Sequence, residues 1–96
     1  MYEMSFNAVR EEREREVAEV RNLALNARVV AEEFEQMADE LRAAYEQTGI
    51  HSGLKKKARE EAVAWLKVQA HDFKVIERQK NNLAAKIAGE ERVVVR

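Results

Sequence analysis

Cysteine and proline are both absent from this 96-residue chain, and glycine occurs at three positions only. Without cysteine the protein can form no disulfide and no thiolate site, which suits a reducing compartment. Proline and glycine are the residues that most often interrupt regular structure. Breaks are therefore expected in two places only, around Gly49 with Gly53 and at Gly89.

Long apolar runs are also missing, since no stretch approaches the roughly 20 apolar residues of a membrane span. The first residues, Met-Tyr-Glu-Met-Ser-Phe, show no basic segment followed by an apolar core. We therefore expect a cytoplasmic protein that does not enter a membrane.

Catalytic and metal-binding patterns are not found either. His51 and His71 are the two histidines, and neither has a second histidine or a glutamate at helical metal-ligand spacing, since Val68 stands three residues before His71. No Ser-His-Asp arrangement and no glycine-rich phosphate loop can be recognised. The sequence predicts no enzyme, no catalytic residue, no metal, no cofactor and no small-molecule substrate.

The residues that are present favour helix. Charged residues make up 36% and apolar residues 46% of the chain, a composition typical of long helices and too apolar for a disordered chain. The net charge of −1 hides an asymmetry, because residues 1–48 are rich in acids and residues 49–96 are rich in bases. Opposite charges favour packing of one half against the other.

Apolar residues in the first half recur in alternating steps of three and four, the heptad pattern of a packed helix. A similar stripe follows Gly53, with the polar residues Gln69 and Lys80 in it. The pattern predicts an all-α fold, a long antiparallel helical hairpin in one domain, with helix one at about 5–48, a turn at 49–53, helix two at about 54–88 and a tail at 89–96. Pairing about the turn sets Phe34 near Leu66 and Phe73 near Ala27. The first stripe is Val17, Val20, Ala24, Ala27, Ala31, Phe34, Ala38, Leu41 and Tyr45, and the second is Ala62, Leu66, Gln69, Phe73, Ile76, Lys80, Leu83 and Ile87.

Both predicted helices have apolar residues beyond the stripe that one partner helix can cover. Since a hairpin of this size has a marginal core, we expect this extra surface to be an oligomer interface in a four-helix bundle or a coiled-coil-like homodimer. The residues concerned are Leu23, Val30, Met37, Trp65, Val68 and Val75.

Basic residues form two groups on helix two. One is a stripe on a single face, and the other is a cluster in the first turns, where positive charge opposes the helix dipole. Each group has two interpretations: a solvated surface balanced by nearby acids, or a binding surface for an acidic protein or for nucleic-acid phosphates. The stripe is Lys67, His71, Lys74 and Arg78, and the cluster is Lys55, Lys56, Lys57 and Arg59.

A chain without catalytic chemistry and with extensive helical surfaces is typical of interaction proteins. We expect a homo-oligomeric adaptor, regulator or inhibitor, with an acidic protein as the favoured partner. The alternative is a nucleic-acid-binding hairpin that uses the basic face. A near-zero net charge and the lack of an aromatic residue in the stripe weigh against that alternative.

Overall fold

The computed structural model of the chain describes the backbone of residues 2–47 and 54–94 and the side chains of residues 8–47 and 55–89. Two long helices account for this backbone: α1, Tyr2–Gln47, and α2, Leu54–Val94. The predicted all-α fold with two long helices is confirmed. The predicted turn, with Gly49, His51 and Ser52, lies outside the described residues.

The heptad pattern of α1 predicts its packed face correctly. Every residue of the predicted stripe, from Val17 to Tyr45, is buried or half-buried. Alanines occupy the most buried positions, with Ala31 and Ala38 fully enclosed. The period of the sequence therefore determines which face of α1 is packed, and the most deeply buried positions on that face are occupied by small side chains.

The predicted end of helix two at residue 88 is wrong, because α2 continues through Gly89 to Val94. Glycine in a helix costs about 1 kcal/mol relative to alanine, and β-branched valines lower helix propensity only slightly. Neither effect has to end a helix that is already long and nucleated. No atom lies within 4 Å of a β-carbon built on Gly89, so this position is open to solvent.

The packed stripe of α2 also differs from the predicted one at alternate positions. Ile76 and Leu83 are exposed, at 37% and 42%, whereas Ala84 is fully buried. The core side of α2 follows the positions one residue later, with Val63 and Ala70 buried and Glu77 half-buried. At Ala70 and Ala84 the small side chain allows the helix backbone to approach its neighbour closely.

Residues Ala27–Val75 form one compact unit, in which the end of α1 packs against the start of α2. Ala38, Val63 and Leu66 form its buried cluster, and Phe34, Leu41 and Tyr45 pack against it. The predicted proximity of Phe34 and Leu66 is thus confirmed. The sequence register sets Phe73 near Ala27, and in the structure the Phe73 ring stacks on Phe34, with centroids 5.8 Å apart. These contacts run in opposite directions along the two helices, so the helices are antiparallel in this unit.

The second unit comprises Met1–Asn26 and Ile76–Arg96. Among its described side chains, Ala24 and Ala84 are buried. Arg10 and Glu14 form an i,i+4 ion pair at 3.7 Å on the surface of α1. Across both units, neither described helix contains a segment long and apolar enough to cross a membrane.

Candidate interaction surfaces

An apolar surface lies on one side of the 27–75 unit. On α1, Val30 and Met37 flank Phe34 at spacings of four and three residues, which places all three on neighbouring parts of one helix face. On α2, Trp65 contacts Phe34 edge to face, with ring centroids 6.2 Å apart, and Val68 follows Trp65 by three residues. These five residues are called the apolar surface below.

Solvent reaches most of this surface. Trp65 is 58% exposed, Val68 54% and Met37 50%, although all three are large apolar side chains. Val30 and Phe34 are half-buried. Isolated exposed apolar residues are common, but contiguous ones rimmed by polar groups indicate an interaction site.

Of the six residues predicted for an oligomer interface, Val30, Met37, Trp65 and Val68 belong to the apolar surface. Val75 follows Val68 by seven residues on α2 and is half-buried. Leu23 is exposed and belongs to the other unit. The role of these residues as an oligomer interface stays a prediction, and sequence periodicity did not reveal that Phe34 is the contact that joins the α1 and α2 parts of the apolar surface.

Acidic side chains border the apolar surface on both helices. Glu33 lies three residues after Val30, and Glu40 three residues after Met37, so each lies on an adjacent part of the same face of α1. Asp72 stands seven residues after Trp65 on α2, and all three acids are exposed. Glu40 also accepts a hydrogen bond of 3.0 Å from the Gln36 side chain. The rim of the apolar surface is therefore negatively charged.

The basic stripe of α2 is partly neutralised by α1. Lys74 forms an ion pair with Glu35, and both side chains remain about half exposed. A shallow groove of about 360 Å³, here called the Lys74 groove, is lined by these two residues together with Asp39, Lys67, Ala70 and His71. Its two lysines face two carboxylates, so the stripe is not a continuous positive track. Arg78, the fourth predicted residue of the stripe, belongs to the other unit.

A second open groove, of about 430 Å³, lies between the last turns of α1 and the first turns of α2. We call it the Tyr45 groove. Tyr45 and Val63 form apolar parts of its wall, and the guanidinium of Arg59 lies over the Tyr45 ring, 4.5 Å from its centroid. The remaining lining residues are Arg42, Glu46, Lys56, Glu60, Ala64 and Lys67.

The charges of the Tyr45 groove do not cancel. Four basic side chains line it against two acidic ones, and Glu60 lies 3.9 Å from Lys56 in an i,i+4 ion pair. Of the predicted cluster, Lys56 and Arg59 line this groove, whereas Lys55 and Lys57 are exposed outside its lining. Arg42 and Tyr45 were not predicted as site residues, because only the pairing of the helices brings them to the basic cluster.

Within the side chains that the structure describes, no three His, Asp or Glu residues are grouped so as to hold a metal ion. The surfaces described above are one apolar surface with an acidic rim and two grooves of different charge balance. No protein-family model, no curated protein and no solved structure matches the chain.

Proposed function

We propose that this protein is a non-enzymatic interaction protein, an adaptor, regulator or inhibitor, that self-associates through the apolar surface. The observation that carries the proposal is the exposure of Trp65 beside Met37 and Val68, three large apolar side chains at half exposure or more. Burying one such side chain contributes roughly 1.5 to 3 kcal/mol. A surface of this kind is stabilised when a second molecule covers it.

The small core of the hairpin favours a second copy of the chain as the molecule that covers the apolar surface. Four of the six buried residues described in the 27–75 unit are alanines, and the other two are Val63 and Leu66. One hairpin therefore buries little apolar area. Packing two hairpins face to face doubles the number of helices around one core and gives a four-helix bundle. A two-fold axis would bring the same residues of both copies together.

The acidic rim opposes such a dimer only weakly. Exposed like charges on helices interact by a few tenths of a kcal/mol, and salt screens them further. Covering Trp65 alone outweighs one such repulsive pair. The acidic rim therefore does not by itself prevent association at physiological ionic strength.

Nucleic-acid binding through the basic face is less well supported. Lys74 is paired with Glu35, and Asp39 lies with Lys67 and His71 on the Lys74 groove. A phosphate backbone would meet carboxylates at these positions and release fewer counterions. We therefore favour a protein partner.

Gel filtration with light scattering tests self-association. The monomer has a mass of 11.1 kDa, and we expect the wild type at micromolar concentration to have at least twice that mass. Trp65→Glu places a charge in the centre of the apolar surface, so it should return the protein to the monomer mass. The chain has one tryptophan, so burial on association should also shift the wild-type fluorescence to shorter wavelength as concentration rises.

Leu25→Glu is the matched control. Leu25 is 54% exposed, but it shares its face of α1 with Arg28 and Glu32 rather than with the apolar surface. This variant should keep the wild-type mass. A monomeric wild type, or equal dissociation by both variants, would contradict the proposal.

A further inference from the structure

The Tyr45 groove is an open site in which Tyr45, Arg59 and Val63 are the more buried lining residues. Its volume of about 430 Å³ is within the range of pockets that hold small ligands or a few side chains of a peptide. Both helices contribute to it, and Val63 in its wall is buried in the core cluster. The groove is therefore tied to the packed part of the unit.

Arg59 is held in place within this groove. Its guanidinium lies 4.5 Å from the Tyr45 ring centroid, a cation–π contact, and the side chain is half-buried. A planar guanidinium has several N–H donors that match the two oxygens of a carboxylate. Because the stacked side chain has already lost part of its freedom, it loses less entropy when it binds an anion.

The charge balance identifies what this groove can attract. Arg42, Lys56 and Lys67 line it with Arg59, whereas Glu46 and Glu60 are its acids. The lining therefore has an excess of two positive charges, of which Lys67 is shared with the Lys74 groove. Val63, Ala64 and Tyr45 add apolar area beside those charges. A ligand that fits both parts carries a carboxylate next to an apolar side chain.

A nucleic-acid strand fits this arrangement less well. Its phosphates would have to continue past the Tyr45 groove along Lys67 into the Lys74 groove, where Glu35 and Asp39 balance the lysines. The aromatic ring available for stacking a base is Tyr45, and Arg59 already lies over it. A short acidic peptide segment requires only the one positive groove.

We propose that the Tyr45 groove binds an acidic segment of a partner protein, with one or two carboxylates on Arg42 and Arg59 and an apolar side chain against Val63 and Ala64. The inference rests on the proposed interaction function, since it names the chemistry of the partner. It uses a different surface from self-association, so the two proposals can fail separately.

The test is a titration followed by fluorescence anisotropy, with the full chain at low salt. The probe is a fluorescein-labelled helical peptide in which a leucine stands four residues after each glutamate, so that the two side chains are neighbours on one face. A second peptide has glutamine at every glutamate position, and a single-stranded oligonucleotide of equal charge is the third probe. We expect the acidic peptide to bind at least about fivefold more tightly than the other two, the ratio that corresponds to roughly 1 kcal/mol.

Variants locate the binding site. Arg42→Gln and Arg59→Gln should each weaken peptide binding by about fivefold or more, as loss of a charge-assisted hydrogen bond does. Ala64→Leu keeps the charge but fills the groove, so it should weaken binding as well. Lys57→Gln removes the same charge one residue from Lys56, outside the groove lining, and should change binding by less than about twofold.

Each of the other results overturns the inference. Equal binding of the glutamine peptide would remove the need for carboxylates, and tighter binding of the oligonucleotide would identify a phosphate site. An equal effect of Lys57→Gln and Arg42→Gln, or full binding by Ala64→Leu, would show attraction by general positive charge without a groove. Circular dichroism and light scattering on the same samples report helicity and self-association independently.

Discussion

The ring of Trp65 meets the ring of Phe34 edge-on, with centroids 6.2 Å apart and an interplanar angle of 83°. Phe34 also stacks on Phe73, at 5.8 Å and 19°. Phe34 therefore joins the exposed apolar surface to the interior of the 27–75 unit. A change at this one ring affects both.

Phe34→Ala removes both ring contacts, and we expect it to lower the free energy of unfolding by about 3 kcal/mol, the low end for such changes because the ring is half-buried. Phe73→Ala removes one ring contact from another half-buried position and should cost less, about 2 kcal/mol. Urea unfolding followed by circular dichroism measures both values. A larger loss at Phe73 would mean that Phe34 is not the central contact.

Ala38→Leu should destabilise the protein although it adds apolar surface. Ala38 is fully buried against Val63 and Leu66, so a larger side chain must push the helices apart, which typically costs about 1 to 3 kcal/mol. Ala43→Leu is the control, because Ala43 is exposed on the same helix, and its unfolding midpoint should stay near that of the wild type. If Ala38→Leu were neutral, the helices would not approach closely at this point.

Gly89→Ala should stabilise α2. The helix runs through this residue, and nothing lies within 4 Å of the added β-carbon, so the gain in helix propensity of about 0.5 to 1 kcal/mol is not offset by a clash. Thermal unfolding should shift upward and helicity should rise. The reverse change, Ala85→Gly at an exposed position of the same helix, should lower both by a similar amount. No gain at Gly89 would indicate that α2 does not continue past it.

Added salt should have opposite effects on the two proposed interactions. Self-association should strengthen, because salt screens the acidic rim formed by Glu33, Glu40 and Asp72 while leaving apolar burial intact. Binding of the acidic peptide to the Tyr45 groove should weaken, because its attraction is electrostatic. Sedimentation velocity and anisotropy over one salt series measure both.

A charge variant distinguishes repulsion by the acidic rim from general effects of salt on self-association. The double change Glu33→Gln with Asp72→Asn should strengthen self-association at low salt and make it less dependent on added salt. Glu32→Gln is the control, since Glu32 pairs with Arg28 at 3.2 Å on another face of α1. Equal behaviour of the two variants would mean that the acidic rim does not border the interface.

The sequence predicts the two helices and the packed face of α1 because one heptad frame there is apolar at every position from Val17 to Tyr45. On α2 two frames share Leu66, Phe73, Lys80 and Ile87. They differ at four pairs of positions, which are Ala62 or Val63, Gln69 or Ala70, Ile76 or Glu77, and Leu83 or Ala84. Hydrophobicity favours Val63 and Ala70 at the first two pairs but Ile76 and Leu83 at the last two, whereas the structure uses the frame with Glu77 and Ala84 throughout. Large apolar side chains therefore do not identify the core positions of a helix when alanine occupies some of them.

The proposed interaction surfaces also include features that one helix determines and features that depend on both helices. Trp65, Met37 and Val68 could be found from spacing alone, since an exposed apolar flank is a property of one helix. The pairing of Lys74 with Glu35, and the meeting of Arg42 and Tyr45 with Arg59, depend on the register of two helices. Spacing along one helix does not show such partners, which is why the Tyr45 groove was not predicted.

Alanine supplies six of the eight buried apolar side chains in the described part of the chain. Unfolding a single chain therefore exposes little apolar area to water, and its heat-capacity change per residue should lie below the ~12 to 15 cal/mol/K typical of globular proteins. A small heat-capacity change flattens the curve of stability against temperature, so moderate warming or cooling alters the free energy of unfolding only slightly. In calorimetry, the Trp65→Glu variant, which we expect to be monomeric, should consequently show little offset between the baselines before and after its transition.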